Sequence, residues 1–288
     1  MTTIGEAIDQ ATQSLIQVNL DDARLDAQVL LSHVLHSERG FLYTYPEQVL
    51  TSEQNQLFRD LVERRSRGEP VAYLIGHKEF YGLDFLVDKR VLIPRPETEL
   101  LVDLALDICR KMFDVGYTPV IADIGTGSGA IPVTLAALEP RLPYLYACDI
   151  SADALEVAYL NCHRYHVEDR VRLLQGDLLE PLPEPVDLVT ANLPYVGIDE
   201  LEDIPLDVKA YEPHLALFSG SQGLDLMLRF FQEIRHSQKL KAGANLLLEI
   251  GYRQTEAITS ILRDTLPQAT LTFTKDLAGW NRVLHVTL

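Results

Sequence analysis

Asp123-Ile124-Gly125-Thr126-Gly127-Ser128-Gly129 decides how this 288-residue chain folds. Ahead of it, Val120 to Ile124 is a short apolar run of strand character, and a helix is expected from about Ser128. A glycine-rich turn between strand and helix marks the ligand crevice of an open α/β sheet, because glycine admits positive φ and close approach of a ligand. Outward from the turn the alternation repeats. Tyr144 to Asp149 reads as a strand, a helix starts at Ser151, and strands follow at Val171 to Leu174 and Leu188 to Ala191. Next come a helix from Leu224 to His236, a strand from Asn245 to Ile250, a helix after Tyr252, and strands near Leu271 and Val283. Near-continuous apolar strands separated by helices predict a mainly parallel, doubly wound α/β sheet covered on both faces.

Upstream the pattern is helical only. Leu30, Leu31, Val34 and Leu35 follow helical spacing, with Asp21 or Asp22 placed to cap the start. Thr51 with Gln54 forms a capping box ahead of the stripe Leu57, Phe58, Leu61 and Val62, and Gly68 with Pro70 supplies the stop. Between Pro70 and Pro96 aromatic and β-branched residues broken by Gly76 and Gly82 suit a hairpin connector. The expected organisation is a helical bundle over residues 1–75, a hairpin linker over 76–95 and the α/β domain over 96–288.

Composition narrows the function. Apolar residues make up 47% and charged residues 23%, ordinary globular usage that excludes a disordered or collagen-like chain. Lys and Arg number 25 against 42 Asp and Glu, and the net charge of -17 repels phosphate, which argues against direct nucleic-acid binding. Cys109, Cys148 and Cys162 lack metal-ligand spacing and point to a reducing compartment. No signal-like start and no apolar run of membrane-spanning length is present, so a cytoplasmic protein without membrane association is expected.

The third glycine comes one residue too early for the dinucleotide fingerprint, and Asp123 at the strand tip would repel a pyrophosphate. The same carboxylate can attract an ammonium, so S-adenosylmethionine is the better ligand of Gly125, Thr126, Gly127, Ser128 and Gly129. Asp149, ending the second strand, is placed to accept from both ribose hydroxyls or else to cap the helix near Ser151. Asp177 is placed either to accept from the adenine amino group or to cap its loop, and Leu178 to pack on the ring.

Asn192-Leu193-Pro194-Tyr195 leaves the fourth strand beside the glycine loop. Methylating an amide or aromatic amine is hard because the nitrogen lone pair is delocalised. Acceptors that grip the two N–H groups out of plane draw the nitrogen towards tetrahedral geometry as the methyl arrives. The Asn192 side-chain oxygen and the Leu193 carbonyl are the candidate acceptors; Pro194 restricts the backbone of Leu193, and Tyr195 offers a flat face. No metal is required by this chemistry.

These two motifs resemble those of the Asn-Pro-Pro-Tyr group of S-adenosylmethionine-dependent methyltransferases. A narrower likeness lies in Glu69-Pro70-Val71-Ala72-Tyr73-Leu74-Ile75-Gly76, Phe80-Tyr81-Gly82 and Val91-Leu92-Ile93-Pro94-Arg95-Pro96-Glu97-Thr98-Glu99. That string is similar to the one in the HemK/PrmC family of peptide chain release factor glutamine methyltransferases. Glu212-Pro213, Leu215-Ala216-Leu217, Gly223-Leu224-Asp225 and the helix Ala23 to Leu31 agree with it. The resemblance implies a seven-stranded, Rossmann-like methyltransferase sheet with a small N-terminal helical bundle that recognises the substrate. It implies methylation of the side-chain amide nitrogen of glutamine in the Gly-Gly-Gln motif of bacterial class I release factors, by a monomer. It assigns the glycine loop, Asp149 and Asn192 to the cofactor and Asn192 to Tyr195 to the glutamine. Leu193 stands where the family usually has proline, and Leu178 where a bulkier aromatic is common.

Two alternatives remain. One is an adenine amino-group methyltransferase acting on RNA or DNA, which the charge disfavours because Lys and Arg do not gather at the catalytic loops. The other is a non-catalytic S-adenosylmethionine-binding module. His33 with His36 and His163 with His166 have helical spacing but no third metal ligand. Arg95, Glu97 and Glu99 suit a partner contact or an ion-pair network, the latter favoured for Glu99, with Arg95 and Glu97 near the crevice. Asp199 to Asp207 suits a solvated loop or a docking surface.

Overall fold

The computed structural model describes residues 1–18, 22–202 and 204–288. They form two units, Met1–His77 with Pro205–Tyr211, and Lys78–Ile204 with Glu212–Leu288.

The first unit carries α1 (Ile4–Ile16), α2 (Ala23–Leu35), α3 (Arg39–Thr44), α4 (Ser52–Ser66) and α5 (Val71–Ile75). Their apolar stripes meet in a core that includes Ile4, Leu15, Leu30, Leu31, Phe58 and Leu61. Thr51 and Gln54 make the expected capping box, and Thr3 and Glu6 make another at the start of α1. Asp22 occupies the N-cap of α2 but its side chain makes no capping bond, and Asp21 lies outside the described residues. One buried polar pair holds the helices: Arg65 of α4 donates to Asp26 of α2 at 2.7 Å.

A two-stranded hairpin, β1 (His77–Phe80) and β2 (Leu83–Leu86), falls in the second unit from Lys78 onward and turns at Tyr81-Gly82. Both turn residues have positive φ, the backbone twist that suits a two-residue hairpin loop. Then follow α6 (Glu99–Asp114), β3 (Ile121–Ile124), α7 (Ala130–Leu138), β4 (Leu145–Asp149), α8 (Ala152–Arg164), β5 (Val171–Gln175) and β6 (Val186–Ala191). The short helix α9 (Leu206–Tyr211) belongs to the first unit, and α10 (Asp225–His236), β7 (Leu240–Glu249), α11 (Thr255–Thr265), β8 (Thr270–Lys275) and β9 (Asn281–Thr287) complete the second.

Seven of these strands pair in the order β5-β4-β3-β6-β7-β9-β8. The pairs from β5 to β7 are parallel, and β9 is antiparallel to both β7 and β8. Alternate residues feed two cores, as a strand covered on both faces requires. Ile121, Leu145 and Leu188 face one cluster with α6 and α7, while Ala122, Ile124 and Val189 face another with Phe230 and Phe231 of α10. Each of those fully buried phenylalanines contributes roughly 1.5–3 kcal/mol through burial.

Several boundaries differ from the sequence expectation by a residue or more, two of them for a clear reason. Helix α7 begins at Ala130, because Gly129 ahead of it is in the left-handed region. Strand β7 begins at Leu240, five residues before Asn245, since Leu240 pairs with Val186 ahead of a register shift. The acidic stretch resolves into a 3-10 turn at Ile198–Glu200 and the start of α9, where Asp207 lies 3.7 Å from Arg65; Asp203 lies outside the described residues.

Candidate active site

The strand order switches at β3, with β4 and β5 added on one side of it and β6 and β7 on the other, and a crevice forms at the carboxyl ends of the parallel strands β3 and β6. Ile124 pairs with Ala191, so the glycine loop and Asn192 leave the sheet side by side. Gly125, Gly127 and Gly129 all have positive φ. At Gly129 space adds a second demand, since a Cβ there would lie 3.2 Å from the Ala158 methyl of α8. The loop satisfies its own amides. Gly125 and Thr126 donate to the Cys148 carbonyl at 2.9 and 3.0 Å, Gly127 donates to Asp149 Oδ2 at 2.8 Å, and Gly129 donates to the Thr126 carbonyl at 2.9 Å. Those four N–H groups are therefore not presented to an anion, which separates this loop from a phosphate cradle. Asn161 of α8 holds the far side by donating to the carbonyls of Ser128 and Leu86.

The acidic residues have distinct settings. Asp149 accepts from Gly127 and, at 2.9 Å, from the Ser151 amide, so it fixes the loop and helps start α8 at once. Burial raises its pKa. Asp123 lies beneath the loop; it takes the Thr190 hydroxyl on Oδ1 at 2.7 Å, while its Oδ2 and the nearby Thr126 hydroxyl are buried without a partner. Burial pushes Asp123 up to about 6. Asp177 is held by an ion pair with Arg229 of α10, a partner the sequence did not signal. Leu178 is buried next to it with φ of 46°, an uncommon backbone for a side chain of that size.

Asn192 sits at the centre of a hydrogen-bonded chain. Its amide nitrogen donates to Thr98 Oγ1 at 3.2 Å, and Thr98 donates in turn to Glu249 Oε2 at 2.6 Å. The other carboxylate oxygen of Glu249 accepts from the Tyr195 hydroxyl at 3.1 Å. Glu249 is buried at the end of β7, which raises its pKa against the hydrogen bonds from Thr98 and Tyr195 and the charge of Arg282. The Leu193 side chain is buried against the glycine loop, 3.2 Å from where a Cβ on Gly125 would stand. Gln254 clamps the loop behind, donating to the Tyr195 carbonyl at 2.8 Å while its own oxygen accepts from Gly251.

A cavity of about 230 Å³ opens here, room for a small organic molecule where a single water needs about 10–15 Å³ on the same measure. Gly125, Thr126, Gly127, Ser128, Asp149, Asp177, Leu178, Asn192, Leu193 and Pro194 line it together. Three expected residues are not on its wall. Asp123 lies below the loop, Gly129 is taken up by packing on α8, and Tyr195 turns its hydroxyl to Glu249, the buried acceptor that a phenol requires. Thr98 and Arg95 also line the cavity. Arg95 pairs with the buried Glu212, which also accepts from the Ile93 amide. Glu99 is a correction: it accepts from the Tyr81 amide at 2.8 Å and pins the hairpin turn, and no ion pair involves it among the described residues. Thr98, Glu249, Gln254, Glu212 and Arg229 come from remote parts of the chain, so no local spacing announced them. Among the described residues no group of three or more His, Cys, Asp or Glu is arranged to hold a metal, and no helix is long and apolar enough to cross a membrane.

Strand order, switch-point cleft and glycine loop together define a Rossmann-like methyltransferase. The family model described as methyltransferase small domain matches residues 101–203, and that described as PrmC N-terminal domain matches residues 6–76. A release factor glutamine methyltransferase of Koribacter versatilis is 39% identical over 91% of this chain and 91% of its own length. One of Rhodopirellula baltica is 36% identical over 99% and 96%. The chain belongs to the release factor glutamine methyltransferase family. A likeness in fold alone links it to the hMettl16 catalytic domain solved with an RNA hairpin, at a TM-score of 0.56 and 16% identity over 78% of this chain and 81% of that one.

Proposed function

We propose that this protein transfers a methyl group from S-adenosylmethionine to the side-chain amide nitrogen of the glutamine in the Gly-Gly-Gln motif of class I release factors. One observation carries the reading. The Asn192 amide nitrogen is tied to Thr98, which leaves Oδ1 as the end free to accept an N–H on the wall of the cleft that the glycine loop shares.

The cleft fits the cofactor on its own chemistry. Thr126 lines the cleft, and its hydroxyl and Asp123 Oδ2 beneath it are buried polar atoms lacking partners, which an ammonium would satisfy directly or through water. Asp149 keeps lone pairs beyond its two backbone bonds, and these suit ribose hydroxyls. Asp177 and Leu178 suit the adenine edge and face. Bound there, S-adenosylmethionine supplies a methyl activated on a sulfonium. The protein's own part is to hold the glutamine: Asn192 Oδ1 takes one N–H and the Leu193 carbonyl the other, with Pro194 confining Leu193 to extended backbone angles. Leu193 in place of proline adds a side chain that packs on Gly125, so burial supplies some of the stiffness a ring would give.

Recognition of the release factor is assigned to the helical bundle of residues 1–75, with the hairpin of residues 76–95 as linker to the methyltransferase domain of residues 96–288. A cytoplasmic monomer acting without direct nucleic-acid contact completes the reading, in keeping with the charge of -17. Incubation with radiolabelled S-adenosylmethionine and purified release factor tests it. Label is expected in the release factor, and label in RNA instead would favour the adenine reading.

A further inference from the structure

Asn192 can present either end of its amide to the cleft, and only one end suits a substrate that donates two N–H groups. We infer that Glu249, acting through Thr98, is the positioning residue that selects the productive end. The argument rests on the proposed methylation of an NH₂ group.

A hydroxyl has one proton to give and lone pairs to receive. Thr98 gives its proton to Glu249 at 2.6 Å, so towards Asn192 it can only accept, and it does so from Nδ2 at 3.2 Å. Inverting Asn192 would set its carbonyl oxygen against a Thr98 lone pair and turn an NH₂ group towards the substrate's NH₂. While ionised, the form that the two donated hydroxyls and the charge of Arg282 favour against burial, the carboxylate enforces this order, because it then accepts and never donates. A glutamine in its place could donate back to Thr98 and let the chain of bonds run the other way.

Placement supports the role. Ala191 pairs with Leu248 across β6 and β7, so Glu249 leaves the sheet alongside Asn192, and Thr98 sits at the start of α6 between them. The same carboxylate receives the Tyr195 hydroxyl, so one buried group holds the first and last residues of the Asn192-Tyr195 segment. Burying a carboxylate against two hydroxyls is a poor way to stabilise a fold. Arg282, whose charge faces it, is engaged with the Ile250 carbonyl and Asp276. Positioning gives that unfavourable burial a purpose.

Three variants test the inference with release factor as substrate: Glu249→Gln, Thr98→Val and Thr98→Ser. Thr98→Val and Glu249→Gln are expected to lower kcat by about 10- to 100-fold, somewhat below the loss of a whole oriented group. Their KM for release factor and their calorimetric affinity for S-adenosylmethionine should stay within about threefold of wild type, since binding is retained when only orientation is lost. Thr98→Ser keeps the hydroxyl and should stay within about threefold in kcat. Should Glu249→Gln fail to fold, the Val and Ser pair carries the test. Wild-type kcat in Thr98→Val, equal losses in Thr98→Ser and Thr98→Val, or a loss confined to KM would overturn the inference. A wild-type enzyme that methylates no release factor overturns instead the functional reading, and this inference with it.

Discussion

Ile124 and Ala191 are paired in register across β3 and β6, and this sets Gly125 and Asn192 next to each other where the two strands end. The glycine loop and Asn192 thus meet through backbone pairing. Replacing Asn192 should therefore leave the loop intact. In Asn192→Ala, methyl transfer is expected to fall by about 10²-fold or more while cofactor affinity holds, because one oriented acceptor is lost. Single-turnover kinetics beside a calorimetric titration separates the two effects, and unchanged turnover would defeat the amide-gripping mechanism.

Asp149 joins stability to binding. Its carboxylate accepts from Gly127 and Ser151 and faces the cleft. Asp149→Ala strands two backbone N–H groups, so a loss of about 1–3 kcal/mol in unfolding free energy is expected along with a weaker cofactor complex. Denaturant melts and titration calorimetry report the two; an unaltered dissociation constant would remove Asp149 from the cofactor site.

Asp123 predicts a pH dependence of definite sign. Burial raises it from 3.8 to about 6, so the folded protein keeps a proton there that the unfolded chain releases. Its contribution to stability is then greatest below about pH 4 and is lost as pH rises through about 6. An ammonium ligand needs the ionised form, so binding runs the opposite way: cofactor affinity should weaken by up to about tenfold for each pH unit below 6, and Asp123→Asn should flatten that slope. Titrations on either side of that value decide it, and a flat profile in the unaltered protein would separate Asp123 from the ammonium.

Gly223 is constrained by the active-site loop itself. With φ of 73°, a Cβ on it would stand 1.9 Å from the Tyr195 carbonyl oxygen and 2.9 Å from Gln254 Nε2. Gly223→Ala must displace the clamp on Tyr195, at a cost of roughly 1–3 kcal/mol from backbone strain alone. The melting temperature should fall by about 2–4 °C for each kcal/mol, and kcat should fall with it. Equal melting curves and turnover would show that the clamp is dispensable.

Much of the fold was legible because its signals are local. Val120 to Ile124, the three glycines and the helix behind them all lie within residues 120–138, and burial of β3 and β6 on both faces leaves apolar runs that announce themselves. Asp149 and Asn192 were readable for the same reason, as each ends such a run. The supports of the site were not. Thr98 and Asn192 are 94 residues apart, and Thr98 and Glu249 are 151 apart. Glu249 simply closes a strand in the sequence; only the pairing of β6 with β7 shows that it ends beside Asn192. Tyr195 is a related case, since the buried acceptor of its hydroxyl lies 54 residues away and no local signal announces it. The helix over Leu206–Tyr211 was hidden because its apolar positions are few and none is fully buried, and it groups with the bundle far upstream.

The central claim is that the cleft beside Asn192 methylates a glutamine side chain. Tandem mass spectrometry of the Gly-Gly-Gln peptide, after incubation of purified release factor with the protein and S-adenosylmethionine, tests it most directly. One added methyl group on the glutamine side-chain nitrogen, absent with Asn192→Ala, is the predicted result. An unmodified glutamine after incubation with folded, cofactor-binding protein would contradict it.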